Sequence, residues 1–269
     1  MRLWDTLWLL LFSISELASP IDALHTFSIH RLTNSISSGF QQRVEADSSF
    51  PMKSAAELVL AAGTQLSAEW NRRGHFFLLE LDFVVAGVIT AMVGKYYAMW
   101  RVAPTLNNDK SDSAHPVETT MFGVPVLNNA FQPTFVDGVT KPLLQQRFLS
   151  LLAPMGSLFQ AGVVASGIGY GLTAGLIAFR SHVLPSYVAA THNVNIVLAG
   201  IYTGTFMALV SNLRYQVLQG IIEPRFIDKL RMYPIFHSSL TFIVRMANGF
   251  LGSVLAIAGM RILGLQTRK

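Results

Sequence analysis

The chain has 269 residues, of which 51% are hydrophobic and only 13% charged. That is about half the charged content of an average soluble domain, so the composition reads as a membrane protein. The formal net charge of +5 comes from scattered Lys and Arg rather than from a basic patch interleaved with aromatics, which speaks against nucleic acid as a partner. The absence of Cys excludes disulfides, thiolate metal sites, iron–sulfur ligation and cysteine nucleophiles.

The N-terminus reads as two targeting segments. Residues 1–23 carry Arg2, an apolar run from Leu7 to Ile14 that is too short to span a bilayer, and Ala23 before a cut, which is the pattern of a signal peptide. Residues 24–50 contain no acid before Glu45 and are rich in hydroxyls, with Arg31 and Arg43 among them, which is transit-peptide composition. The pairing resembles the bipartite presequence of algae whose plastids came from a eukaryotic endosymbiont. A secreted or endomembrane protein with a polar N-terminus is the competing reading.

Residues 51–269 read as one membrane domain. Residues 54–70 alternate Leu and Ala with polar residues at helical spacing, which predicts an amphipathic helix lying on the surface. Four hydrophobic runs follow, near the roughly 20-residue spanning length, at about 77–100, 158–179, 187–210 and 236–259. The segment between the first two, rich in Pro and polar residues, reads as a long loop. The expected fold is an all-α membrane protein with about four transmembrane helices in a glycine-rich bundle, preceded by the amphipathic helix. Lys and Arg flank both ends of the spans and leave the orientation open.

Residues three, four and seven apart share a helix face. On that basis Gly87 and Gly94 in the first span, Gly167, Gly171 and Gly175 in the second, Gly200 and Gly204 in the third, and Gly249 and Gly252 in the fourth are expected to pack helix against helix. Glu80 shares the small-residue face of the first span, whereas Asp82 points nearly opposite and reads first as a helix-start acid. Arg245 and Asn248 share the polar side of the fourth span. Intramembrane charges are costly and mark candidate sites. Glu80 lies on the order of 12 Å from the centre of its span, so it is poorly placed to pair with Arg245 near the centre of the fourth. Lys95 reads as snorkelling to an interface, with no site role.

No nucleotide-binding, zinc-protease or hydrolase motif occurs, and the histidines after the presequence show no i,i+4 pair. The expectation is a protein that is not an enzyme and has no metal and no cofactor.

Six stretches carry a family resemblance: ELDFVVAG (80–87), APT (103–105), NNAFQ (128–132), SNLRYQ (211–216), GIIEPRF (220–226), and RMANGFLGS (245–253) followed by RILGLQ (261–266). In order and spacing they resemble the RETICULATA-related proteins, plastid membrane proteins of plants and algae. The resemblance covers about residues 55–266. It implies a multi-pass protein of the chloroplast envelope with a role in plastid and leaf development, and a movement of basic amino acids across the envelope has been proposed for the family. Three functions compete. The leading expectation is an oligomeric carrier of a small solute such as a basic amino acid, with Glu80 and Asp82 holding the cationic part and Arg245 and Asn248 the carboxylate. The second is a non-transporting envelope scaffold that docks partners through Arg214 and Arg225 on an exposed connector between spans three and four. The third is a subunit of a protein-translocase-like channel. Expected partners are membrane lipid, further copies of the chain and a small solute.

Overall fold

The computed structural model describes residues 29–106, 120–183 and 195–263. The signal-peptide segment 1–23 lies outside these. Helix α1 (Ile29–Ala46) falls within the transit-like segment, and α2 (Phe50–Arg73) starts with a proline in its first turn, where the missing N–H costs nothing. Gly74, at φ +52°, ends α2 in a conformation that disfavours any other residue, and the chain turns back through a short 3₁₀ segment into α3 (Leu81–Arg101). A two-residue hairpin, β1 (Thr120–Met121) with β2 (Val124–Pro125), opens the connection to α4 (Leu144–Leu152) and α5 (Met155–Val183). Two long helical runs follow, α6 (Ile196–Leu230) and α7 (Pro234–Ile262).

Four helical runs are long and apolar enough to cross a membrane: Leu81–Arg101, Leu144–Val183, Ile196–Leu230 and Pro234–Ile262. The all-α, four-span expectation therefore stands, with longer second and third spans. At about 1.5 Å per residue, the 29-residue α7 is about 44 Å long, enough for a hydrocarbon core of about 30 Å.

The third span continues past residue 210 because its polar residues find partners inside the protein. Asn212 donates to Leu151 O at 2.8 Å, Gln216 Oε1 accepts from Ala130 N at 2.8 Å, and Gln219 donates to Met99 O at 3.0 Å. Residues 207–211 and 218–227 are wound as π-helix, and the second stretch contains Pro224, which lacks a backbone donor. The expected connector carrying Arg214 and Arg225 is thus part of a helix. Arg214 is half-buried and only Arg225 is exposed.

Helix α2 is the amphipathic helix, but it is turned the other way round. It packs along α3 and α7 with Lys53, Glu57, Glu69 and Arg73 buried, while Val59 (61% exposed) and Trp70 (59%) face outward. Its charged face points into the protein because the acids and bases that match it lie on the helices it covers.

The core gathers Tyr96 to Trp100 of α3 with Leu158, Met207, Tyr215 and Leu218. Helix contacts fall on a different glycine set from the GxxxGxxxG stripe. A methyl on Gly162 would meet Gly204 Cα at 2.7 Å, and one on Gly169 would meet Thr90 at 3.1 Å. Gly167, Gly171 and Gly175 meet nothing within 4 Å among the described residues, because α5 turns the neighbouring stripe toward its partners. Gly204 and Gly200 do face α5, at 2.7 Å from Phe159 O and 3.7 Å from Val163.

Candidate functional site

Two polar regions lie side by side within the helices. The first is a closed network joining α2, α6 and α7. Lys53 Nζ contacts Asp47 at 2.7 Å and Glu223 and Asp228 at 3.1 Å. Arg245, 1% exposed, contacts Glu57 at 3.1 Å and Glu223 at 2.7 Å; the second approach is an ion contact without hydrogen-bond alignment. The Tyr215 hydroxyl donates to the other Glu57 oxygen. His237 Nε2 lies 3.2 Å from Asp228. Burial alone would raise the Asp47 carboxyl, but the Lys53 ammonium, with the Ser49 hydroxyl and amide, outweighs it and holds the group below the usual carboxylate value. Burial alone would lower the Lys53 ammonium, yet Glu223, Asp47 and Asp228 together raise it.

The second region is a cavity of about 380 Å³ walled by α2, α3, α5, α6 and α7. Its charged lining comprises Glu69, Arg72, Lys95 and Arg214, a net charge of +2. Glu69 and Arg72 are paired with each other at 2.5 Å, and Glu69 also holds Arg73 at 2.8 Å. Lys95 Nζ donates to the neutral Thr64 hydroxyl at 2.8 Å. Arg214 donates through Nε to Asn248 Oδ1 at 3.1 Å and through Nη2 to the Asn248 carbonyl. Among the described residues neither Lys95 nor Arg214 has a carboxylate within ion-pair distance. Gly252 makes room for the Arg214 guanidinium, since a Cβ there would come within 2.6 Å of its Cζ. Gly94 and Gly249 line the cavity with nothing within 4 Å of where a Cβ would stand, and Gly87 faces Glu69.

The four candidate solute contacts fall elsewhere. Glu80, 3% exposed, pairs with Arg73 where α2 turns into α3. Asp82 pairs with Arg180 at 2.6 Å, joining the start of α3 to the end of α5. Arg245 belongs to the closed network, and Asn248 positions Arg214 from outside the cavity wall. As the sequence geometry suggested, Glu80 and Arg245 do not pair with each other. Sequence reasoning passed over Lys95, although the signal was present: it lies four residues after Ala91 and three before Ala98, on the face already recognised as inward. Among the described residues no group of three His, Asp or Glu side chains is arranged to hold a metal.

Several of the polar residues that build the two regions fall in the motifs read from the sequence: Ser211, Arg214 and Tyr215 in SNLRYQ, Glu223 in GIIEPRF, and Arg245 and Asn248 in RMANGFLGS. The sequence profile of the family described as "Protein RETICULATA-related" matches residues 42–221. The chain belongs to the RETICULATA-related family. It is 32% identical to Protein RETICULATA-RELATED 4, chloroplastic, of Arabidopsis thaliana over 85% of its own length and 59% of that protein's. It is 30% identical to RETICULATA-RELATED 5, chloroplastic, of the same plant over 86% of its length and 32% of that protein's. A third relative there, RETICULATA-RELATED 2, chloroplastic, is 25% identical over 85% of this chain and 64% of its own. The chain thus spans between about a third and two thirds of the length of these relatives. No solved structure matches it.

Proposed function

We propose that this RETICULATA-related chain is a multi-pass protein of the plastid envelope that binds a small solute in the cavity between its helices and carries it across the membrane, in support of plastid development. The plastid assignment rests on relatives named chloroplastic, together with the transit-like composition of residues 24–50, of which Phe40, Arg43 and Asp47 pack into the folded chain, so a cut would fall before them. The observation that carries the solute reading is the cavity itself. Its 380 Å³ lies in the size range of small-molecule sites, and it is walled by all four membrane-competent helical runs. Charged groups inside it are reachable by a solute, whereas those of the neighbouring network are buried and ion-paired with one another.

In this reading Glu80, Asp82 and Arg245 hold the walls, because their charges are taken up by Arg73, Arg180, Glu57 and Glu223. The solute contacts move to Lys95 and Arg214. Alternating access would open the cavity to each side in turn. Self-association belongs to the proposal, with the exposed Gly171 and Gly175 of α5 on a free surface.

The test is reconstitution of the folded chain in liposomes and uptake of labelled amino acids, organic acids and neutral sugars, with both gradient directions. Saturable uptake of one class, lost in Lys95→Met and Arg214→Met but retained in Lys141→Met on the exposed loop, supports a carrier. Absence of uptake from well-folded protein for every class overturns it and moves the reading to an envelope scaffold.

A further inference from the structure

The cavity does not treat positive and negative solutes alike. We infer that its ligand is a small anion, a carboxylate or phosphate group held between the Lys95 ammonium and the Arg214 guanidinium. This rests on the reading of the cavity as a solute site.

The argument turns on where the unused donors are. Lys95 has three donor hydrogens and one neutral acceptor, Thr64. Arg214 Nη1 lies over Gly252 and donates to no described residue, while Nε and Nη2 are fixed by Asn248. That leaves one edge of a rigid fork turned into the cavity, oriented from behind by Asn248. Ser211, buried and three residues before Arg214, shares its helix face, lines the same cavity and has a hydroxyl with no described partner.

Apart from Ser166 and Tyr170, the other hydroxyls along the wall are spent inside the protein, Tyr215 on Glu57 and four on their own helices. Thr90 donates to Ala86 O, Thr173 to Gly169 O, Thr203 to Ala199 O and Ser253 to Gly249 O. What remains for a ligand, beside the Glu69–Arg72 pair, is therefore two cations and the Ser166, Tyr170 and Ser211 hydroxyls, a donor set complementary to an anionic oxygen cluster.

Other buried cations show what this arrangement is not. Lys53, Arg73 and Arg245 each have a carboxylate in contact. Arg43 and the half-buried Arg147, which lack one, donate to backbone carbonyls and do not line this cavity: Arg43 to Trp100 O at 3.0 Å and Gly39 O at 2.7 Å, Arg147 to Ala130 O at 2.7 Å and Gln132 O at 3.0 Å. Arg101 donates to Ser157 and Asn128 and likewise does not line it. At Lys95 and Arg214 two cations with no carboxylate in ion-pair contact among the described residues line one cavity. Glu57 attracts both from a longer distance, but its oxygens are engaged by Tyr215 and Arg245. Inside a membrane, two such charges need a counter-ion.

A free metabolite and an anionic lipid headgroup offer the same chemistry, and the experiment separates them. Purified full chain in detergent is titrated with malate, inorganic phosphate, lysine and glucose, following thermal stabilisation and heat of binding. The same protein is examined in nanodiscs with and without phosphatidylglycerol. Expected is saturable binding of malate or phosphate, weakened at least tenfold in Lys95→Met and in Arg214→Met. Gly94→Leu, which fills the cavity without touching a charge, should weaken it as well, and Lys141→Met should leave it unchanged. Stabilisation by phosphatidylglycerol that depends on Lys95 and Arg214, with no response to malate or phosphate, assigns the anion to a lipid. Binding of lysine or glucose but of no anion overturns the inference and leaves the carrier reading standing. Anion binding without uptake in liposomes keeps the inference and overturns the carrier. No response to any anion or to phosphatidylglycerol, in a protein that unfolds cooperatively, overturns the inference outright.

Discussion

The network around Arg245 and the cavity around Arg214 meet at Tyr215, which lines the cavity and donates to Glu57, yet they handle charge in opposite ways. On one side Arg245, Lys53, Glu57 and Glu223 neutralise one another, and almost no surface is left to water. On the other side Lys95 and Arg214 face open space, fixed by neutral groups. The same polar residue types serve assembly in the first place, where they are buried, and remain available in the second, where they are half-buried. An intramembrane charge is therefore a site candidate only after its partners have been counted.

Substitutions can break this contrast, and the largest effect is expected at Arg245. Arg245→Met leaves Glu57 and Glu223 short of a cation, and removing one partner of a buried pair typically costs about 3–5 kcal/mol. The expected outcome is loss of the monodisperse species in gel filtration and a large fall in the melting temperature. Lys95→Met should leave both nearly unchanged. Equal damage from the two substitutions would erase the distinction between the regions.

The next effect is expected at Glu80. Its partner Arg73 keeps Glu69 at 2.8 Å, so Glu80→Ala should cost about 1.5–3 kcal/mol, the worth of a charged hydrogen bond, as read by thermal unfolding in detergent. A fully stable Glu80→Ala variant that has lost solute binding would return Glu80 to the site.

Gly220 sharpens the picture at the network's other flank. A Cβ there would meet the Asn129 side chain and come within 2.6 Å of Phe131 Cβ, so Gly220→Ala should destabilise by about 1–3 kcal/mol through overpacking. At Asp82, 37% exposed, the pair with Arg180 is worth about 1 kcal/mol or less, and Asp82→Asn should be nearly silent in the same assay.

The smallest effect is in pH. Asp47 is held below its ordinary value of 3.8, so its contribution is present above about that pH and disappears as the pH falls through the lowered value. Lys53 is raised above 10.5, so its contribution is complete below that pH and is lost as the pH rises through the raised value. Unfolding temperatures should stay level between these limits as far as these two groups are concerned. Asp47→Asn should flatten the acid limb and, because Asp47 is one of the three carboxylates that raise Lys53, bring the alkaline loss to a somewhat lower pH.

Much of the fold could be read from the sequence, because a run of about 20 apolar residues has few alternatives to crossing a bilayer. The third span came out too short because Asn212, Gln216, Gln219 and Glu223 lower its hydropathy, and their partners on α2, α3, α4, α7 and the connection before α4 cannot be seen along one helix. Helix α2 was legible as amphipathic, but its direction was not. Hydrophobic periodicity identifies two faces, and only the acids and bases on α6 and α7 decide that the charged one turns inward. At the site, Glu80, Asp82 and Arg245 were recognisable as unusual charges. Their partners lie 7, 98 and 188 residues away, and spacing along the chain carries no information about the last two. Lys95 was visible on an inward face and was discounted because long side chains near helix ends so often reach for an interface.

The inward charges of α2 also set an order of events during biogenesis. Lys53 meets Asp228 across 175 positions of sequence, and Glu57 meets Arg245 across 188. A chain delivered from its N-terminus presents α2 ahead of α7, and until the later spans arrive Lys53 lacks Glu223 and Asp228 and Glu57 lacks Arg245, although Glu69 already has Arg72 and Arg73 beside it. Docking of α2 is therefore completed by the last span, and a product cut short before residue 245 would leave Glu57 without its arginine.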